Sequence, residues 1–127
     1  MRILVVDDQE HMREALRLIF ETTGHEVWEA ANGKIALDQQ KTTPADLVVT
    51  DILMPGMEGI ELITHLRKIA PPVKIIAISG GGRVDPNLCL TMARELGADR
   101  ILLKPFSKST IVSMVSELFP DNELDIK

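Results

Sequence analysis

Five short strand-like segments alternate with stretches in which apolar residues recur at helical spacing. Four of these segments, residues 3–6, 46–50, 73–78 and 101–103, are almost continuously apolar. Such runs are typical of strands that are buried on both faces of a parallel sheet. The remaining segment, 26–29, has mixed polarity, as an edge strand often does. The alternation predicts an α/β fold with one five-stranded parallel sheet and helices on both of its faces.

Few strand orders are compatible with right-handed crossover connections between parallel strands. We expect the flavodoxin-like, doubly wound (βα)5 order 2-1-3-4-5, because it places the polar second strand at an edge of the sheet. This order also makes the first and third strands neighbours. In open sheets of this kind, ligands bind beyond the carboxyl ends of the strands, where the strand order reverses. The binding site is therefore predicted at the ends of strands one and three.

The size and charge of the chain exclude several classes of protein. Its 127 residues suffice for one domain with an ordinary core, which we place at residues 1–120, followed by a short polar tail at 121–127. The net charge of −5 argues against non-specific binding of nucleic acid, which requires a basic face. No apolar run reaches the length of a membrane span. We expect a cytoplasmic protein that binds neither nucleic acid nor membranes.

Polar residues stand at the carboxyl ends of four of the five predicted strands. The first strand ends at Asp7 and Asp8, the third at Asp51, the fourth at Ser79 and the fifth at Lys104. These four strands are contiguous in the predicted order, so their ends form one rim of the sheet. Each residue alone has an ordinary explanation as a cap, a turn former or a surface residue. Their convergence on one rim is the specific signal.

The three carboxylates at this rim predict a magnesium site. Carboxylates that lie close together either raise their pKa values or hold a cation. Oxygen ligands at an open rim suit Mg²⁺, which keeps several water ligands and takes one or two carboxylates. Asp8 is the better candidate for a direct ligand and Asp7 for a ligand that acts through water. The main-chain carbonyl of Leu53, two residues after Asp51, can supply a further oxygen.

The remaining residue types at the rim suit phosphoryl transfer. An aspartate such as Asp51 can act as a nucleophile and form an aspartyl phosphate. The charge of Lys104 and the hydroxyl of Ser79 can stabilise the charge on a transferring phosphoryl group. An aspartate-nucleophile phosphatase would carry a second aspartate two residues after the nucleophile. This chain has Leu53 after Asp51 and Gln9 after Asp7, which disfavours that enzyme class.

Four segments of the chain closely resemble the receiver domain of bacterial two-component response regulators, and the likeness extends over residues 2–119. The segments are Val-Val-Asp-Asp at 5–8, Asp-Ile-Leu-Met-Pro-Gly-Met-Glu-Gly at 51–59, Ala-Ile-Ser at 77–79 and Gly-Ala-Asp-Arg-Ile-Leu-Leu-Lys-Pro-Phe at 97–106. The resemblance implies a phosphorylation-activated signalling switch of a phosphorelay. It implies no enzymatic activity beyond self-catalysed, Mg²⁺-dependent phosphoryl transfer and autodephosphorylation.

The resemblance also implies a role for each residue at the rim. Asp51 would accept a phosphoryl group from the phosphohistidine of a sensor histidine kinase or phosphotransfer protein. Ser79 and Lys104 would contact that phosphoryl group, and the bond between Lys104 and Pro105 would be cis. An output protein of unknown identity would bind the face formed by the fourth helix, the fifth strand and the fifth helix. The implied Mg²⁺ ligands are Asp7, Asp8, Asp51 and the carbonyl oxygen of Leu53.

Two departures from the family pattern concern how phosphorylation is read out. The family usually has an aromatic switch residue three positions before the lysine, where this chain has Ile101, a β-branched residue with a stiff side chain. Three glycines, Gly80, Gly81 and Gly82, directly follow Ser79 and permit many backbone conformations. We therefore expect ordering of this glycine segment, and not rotation of an aromatic ring, to act as the switch.

Two questions remain open at the level of the sequence. The chain is expected to be a stand-alone, single-domain regulator, and the alternative is a receiver fragment of a larger DNA-binding regulator or hybrid histidine kinase. A binding module that keeps the fold without being phosphorylated would normally have lost part of its acidic site. Here that site is intact.

Overall fold

The computed structural model describes residues 1–52, 59–79 and 86–120. Within these ranges, strands and helices alternate along the chain. The strands are β1 (Arg2–Val6), β2 (Glu26–Ala30), β3 (Leu47–Asp51), β4 (Lys74–Ser79) and β5 (Arg100–Leu103). The helices are α1 (Glu10–Thr22), α2 (Gly33–Thr42), α3 (Gly59–Ile69), α4 (Pro86–Leu96) and α5 (Lys108–Leu118). No helix in the described ranges is long and apolar enough to cross a membrane.

The strands form one parallel sheet in the order β2-β1-β3-β4-β5, which confirms the predicted fold class. Alternate residues of each strand point to opposite faces and build two separate core clusters. Leu4 and Val48 belong to the cluster that includes buried residues of α2 and α3. Val5 and Val49 belong to the cluster that includes buried residues of α1 and α5. Both faces of the central strands are covered, which accounts for their continuous apolar sequences.

The mixed polarity of β2 reflects its position at the edge of the sheet. Among the described strands it pairs only with β1, and its first residue, Glu26, is exposed to solvent. Glu29 of the same strand forms ion pairs with Arg13 and Arg17, two residues of α1. The charged residues of β2 therefore lie at its exposed end and against a basic face of α1.

Arg67 of α3 ties together several loops at the amino-terminal end of the sheet. Its guanidinium donates to the main-chain carbonyls of Val73 (2.5 Å) and Gly97 (2.6 and 2.9 Å) and pairs with Asp99 at 2.7 Å. The same oxygen of Asp99 accepts the main-chain N–H of Ile75 at 2.8 Å. The side chain of Arg67 therefore links the loop that leads into β4 to the loop that leads into β5.

We predict that Arg67→Lys lowers the free energy of unfolding by about 1–3 kcal/mol, because a lysine ammonium cannot reproduce the planar fork of donors. Urea unfolding of the two proteins measures this difference. Arg100→Lys is the matched control, since Arg100 is exposed and its side chain donates to the carbonyl of the adjacent Asp99. Equal losses in the two variants would contradict a special role for Arg67.

Candidate functional site

The carboxyl ends of β1, β3, β4 and β5 bring the sequence-predicted polar residues to one rim of the sheet. Asp51 and Ser79 are the last residues of β3 and β4, and Asp7 and Lys104 directly follow β1 and β5. Each of Asp7, Asp8 and Asp51 offers a carboxylate oxygen, and these oxygens lie within 4.8 Å of one another. Three acidic groups at this spacing could hold a divalent cation.

Lys104 supplies the positive charge closest to these carboxylates in the described part of the chain. Its Nζ lies 3.3 Å from Oδ2 of Asp51 and 3.9 Å from Oδ2 of Asp7. Its main-chain N–H donates to the carbonyl of Ser79 at 2.8 Å, which holds the ends of β4 and β5 together. The bond between Lys104 and Pro105 is cis, as the resemblance implied.

Asp7 is almost completely buried and is held by several hydrogen bonds. Its Oδ1 accepts the main-chain N–H of Gln9 at 2.9 Å, and its own N–H donates to the carbonyl of Ala30 at 3.2 Å. Its Oδ2 is buried and has no hydrogen-bond partner among the described residues. A buried carboxylate oxygen without such a partner is costly in free energy. This oxygen fits a cation site, because a bound cation or its water would satisfy it.

Burial raises the pKa of Asp7 above its ordinary value, although the hydrogen bond from Gln9 works in the opposite direction. The negative charges of Asp51 and Asp8 raise the pKa of Asp7 further, whereas the charge of Lys104 lowers it. Ionised Asp7 is therefore destabilised by its surroundings. A divalent cation beside Asp7 would offset both the cost of burying its charge and the repulsion from Asp8 and Asp51.

Asp51 is the accessible carboxylate of the cluster that also touches Lys104. Its side chain is 14% exposed, so one side of it can be reached from solvent. The buried hydroxyl of Thr50 donates to the main-chain carbonyl of Asp51 at 2.9 Å and fixes the end of β3. Asp51 thus presents a carboxylate at a fixed strand end beside a positive charge, an arrangement that would suit attack on an electrophilic phosphorus.

Gly59 allows α3 to begin directly against the end of β3. Its N–H donates to the carbonyl of Ile52 at 2.8 Å. A Cβ atom at this position would overlap the main-chain carbonyl of Asp51 and lie 2.6 Å from the Cα of Ile52. Gly59 belongs to the sequence motif at 51–59, but the motif by itself offers no reason for a glycine there. The structure provides the reason, because only glycine permits this close approach of the two backbone segments.

Some predicted site residues have no described position. Leu53, Gly80, Gly81 and Gly82 lie outside the described residues.

The two other residues of the expected switch, Ser79 and Ile101, are described. Ser79 is buried at the end of β4. Ile101 of β5 is partly buried and packs against the core cluster on the α2 and α3 face of the sheet.

Sequence reasoning gave no role in the site to Arg13 or Glu29. Arg13 donates to the main-chain carbonyl of Asp7 at 2.7 Å and pairs with Glu29 of β2 at 3.2 Å. The edge strand places no polar side chain at the rim, but it contacts the site directly through the carbonyl of Ala30 and indirectly through Arg13 of α1. A basic residue on the first helix and an acidic residue near the end of the edge strand were the only signals, and neither specified this contact.

Comparisons with known proteins agree with this arrangement. The family model for the response regulator receiver domain matches residues 3–116. The chemotaxis protein CheY of Thermotoga maritima is 37% identical over 118 residues, which cover 92% of this chain and 96% of that protein. Sporulation initiation phosphotransferase F of Bacillus subtilis is 34% identical over 119 residues, which cover 94% of each chain.

A solved structure shows the same fold. The CheY-like response regulator receiver domain protein from Methanospirillum hungatei JF-1 superposes with a TM-score of 0.86 at 28% identity, over 98% of this chain and 97% of that chain. Receiver domains are phosphorylation-dependent signalling switches that bind Mg²⁺ at an acidic pocket and interact with histidine kinases or phosphotransfer proteins. The sequence motifs, the sheet order and the family match together establish that this chain belongs to the response regulator receiver domain family.

Proposed function

We propose that Asp51 is the residue of this receiver domain that accepts a phosphoryl group, from the phosphohistidine of a sensor histidine kinase or phosphotransfer protein. The observation that carries the proposal is the position of the Asp51 carboxylate. It is fixed at a strand end and partly exposed, and it lies 3.3 Å from the ammonium of Lys104. It also belongs to the cluster that contains the buried Oδ2 of Asp7, which has no hydrogen-bond partner among the described residues.

In the proposed transfer, an oxygen of Asp51 forms a bond to phosphorus while the bond between phosphorus and the histidine nitrogen breaks. The imidazole leaves with the electron pair of that bond and takes up a proton. Lys104, which pairs with Asp51 at rest, then pairs with an oxygen of the bound phosphoryl group. The hydroxyl of Ser79, at the end of the neighbouring strand, would donate to another phosphoryl oxygen. Autodephosphorylation by water is part of the same proposal.

Asp7, Asp8 and Asp51, with the carbonyl of Leu53, would hold Mg²⁺ in this proposal. The bound ion would supply positive charge that neutralises the phosphoryl oxygens. Asp8 is exposed and can bind directly, whereas buried Asp7 can act through a water molecule. Two observations support this assignment: the carboxylate oxygens lie close together, and the buried Oδ2 of Asp7 lacks a hydrogen bond from any described residue.

The output partner would bind the face formed by α4, β5 and α5. Two large apolar side chains of this face are exposed, Leu88 of α4 by 55% and Leu103 of β5 by 46%. Exposed apolar residues of this size suit a protein partner. The net charge of −5 does not suit nucleic acid or an anionic membrane surface. The proposed receiver domain spans residues 1–120, and the tail at 121–127 lies outside the described residues.

We predict that acetyl phosphate with Mg²⁺ adds one phosphate to the wild type and none to Asp51→Asn, because the amide is a poor nucleophile. Intact-mass spectrometry measures the labelling. Asp38→Asn, at an exposed position on α2, is the matched control and should be labelled like the wild type. Equal labelling of Asp51→Asn and the wild type would overturn the assignment.

We predict that Asp7→Asn raises the free energy of unfolding in chelator at pH 7 by about 1 kcal/mol, because it removes a buried charge that is repelled by its neighbours. The raised pKa of Asp7 means that its ionisation destabilises the folded state. Folded wild-type protein takes up a proton on Asp7 as the pH falls through this raised pKa. The advantage of the variant should therefore shrink over that range and be lost below 3.8, the ordinary pKa of an aspartate.

Urea unfolding at several pH values, with and without Mg²⁺, measures both effects of Asp7→Asn. Added Mg²⁺ should stabilise this variant, and Asp8→Ala, less than it stabilises the wild type. Asp38→Asn serves again as the control. A loss of stability in Asp7→Asn at pH 7 without Mg²⁺ would contradict the account of repulsion.

The readout is predicted to depend on the segment after Ser79 and not on the side chain of Ile101. Ile101 is β-branched and packed against the core, so its rotation is restricted. Beryllofluoride, a phosphoryl mimic, should slow hydrogen exchange in residues 80–90 of both the wild type and Ile101→Ala. Unchanged exchange in that segment, or loss of partner binding in Ile101→Ala while the segment still becomes protected, would refute this mechanism.

A further inference from the structure

Arg13 contacts the acidic site through the main chain of Asp7 and not through a carboxylate. It lies in the first part of α1, and its side chain is only 16% exposed. Its Nη1 donates to the main-chain carbonyl of Asp7 at 2.7 Å, while its Nε pairs with Glu29 at 3.2 Å. A guanidinium can serve both partners because its donors are arranged in a rigid, planar fork.

The carbonyl that Arg13 binds belongs to the peptide unit between Asp7 and Asp8. Because a peptide unit is planar, fixing its oxygen fixes the direction in which the chain continues to Asp8. The neighbouring hydrogen bonds, from the N–H of Asp7 to Ala30 and from the N–H of Gln9 to the Asp7 carboxylate, lie on either side of that unit. Arg13 is thus the side-chain contact that orients the peptide unit shared by the two carboxylates.

Glu29 holds Arg13 in the required orientation. One oxygen of its carboxylate pairs with Arg13 and the other with Nη1 of Arg17 at 2.6 Å. The next residue of β2, Ala30, accepts the N–H of Asp7. Two successive residues of the edge strand therefore support Asp7, one through the main chain and one through Arg13.

We propose that Arg13 is a positioning residue for the Mg²⁺ site, and that Glu29 acts on this site through Arg13. The inference rests on the proposed function, because it takes Asp7 and Asp8 as Mg²⁺ ligands. Groups that orient metal ligands without touching the metal typically change its affinity by about 10–100-fold when they are removed. Arg13 belongs to this class because it touches the backbone of the ligands and not their carboxylates.

Because Arg13 is positively charged, the direction in which Mg²⁺ affinity changes on its replacement distinguishes the proposal from its alternatives. A positive charge near a cation site repels the cation, so a purely electrostatic role predicts tighter Mg²⁺ binding when Arg13 is neutralised. A positioning role predicts weaker binding, because the peptide unit between Asp7 and Asp8 loses its support. A role in folding alone predicts lower stability with unchanged Mg²⁺ affinity.

The experiment is calorimetric titration of Mg²⁺ into purified wild type, Arg13→Met, Arg13→Lys, Glu29→Gln and Arg17→Met. We expect Arg13→Met to bind Mg²⁺ about tenfold more weakly than the wild type. Arg13→Lys keeps the charge but cannot serve both partners, and should show an intermediate loss. Arg17→Met is the matched control, because it removes an arginine that pairs with Glu29 but forms no hydrogen bond or ion pair with Asp7 in the described part of the chain. The Mg²⁺ affinity of this variant should stay close to that of the wild type.

A double-variant cycle tests whether Glu29 acts through Arg13. Glu29→Gln should weaken Mg²⁺ binding in the wild type and have no further effect in Arg13→Met. Equal or tighter binding of Mg²⁺ by Arg13→Met would overturn the proposal. If Arg13→Met does not fold, as judged by circular dichroism, Arg13→Lys decides the question in the same way, and wild-type affinity in that variant would overturn it.

The same titration separates this inference from the proposed function. If wild-type protein binds no Mg²⁺, the proposed metal site is wrong. If the wild type binds Mg²⁺, and Asp8→Ala weakens that binding while Arg13→Met and Arg13→Lys do not, the metal site stands and only the positioning role of Arg13 is wrong.

Discussion

The repulsion among the carboxylates at the rim of the sheet is the interaction on which the site depends. Asp7, Asp8 and Asp51 come from two neighbouring strands, and their oxygens lie within 4.8 Å of one another. Separated, hydrated carboxylates would avoid this repulsion, so the packing beneath them must hold them together. The fully buried residues of β1 and β3 provide that packing. The stability of the apolar sheet therefore maintains an unfavourable charge arrangement, which a bound cation would relieve.

Much of this arrangement could be predicted from the sequence, because each step depends on local patterns. Continuous apolar segments identify buried strands, and the polarity of residues 26–29 identifies the edge strand. Once the order is known, parallel strands bring their carboxyl ends to one rim, and Asp7, Asp51 and Lys104 become neighbours. No contact between these residues had to be known in advance. The topology alone converts distant sequence positions into a cluster.

The sequence did not reveal the contacts that long side chains make with the main chain. Arg13 reaches the carbonyl of Asp7, and Arg67 reaches the carbonyls of Val73 and Gly97. An arginine on an amphipathic helix usually lies in solvent, and its acceptor here is a backbone atom, which every residue possesses. Such contacts depend on the angle and depth at which each helix packs on the sheet. Those quantities follow from three-dimensional packing and leave no spacing pattern in the sequence.

Arg67 and Arg13 both bind main-chain carbonyls, but they differ in where they form their ion pairs. Arg67 pairs with the carboxylate of Asp99 as well as with carbonyls, at the end of the sheet opposite the acidic rim. Arg13 binds the carbonyl of Asp7 and directs its ion pair to Glu29, so that it fixes the backbone without forming an ion pair with the cluster. An ion pair between Arg13 and Asp7 would relieve the repulsion but would also compete with a cation for the same oxygen. In the role proposed for Arg13, binding the main chain would hold the acidic site in place and leave its carboxylates available for a cation.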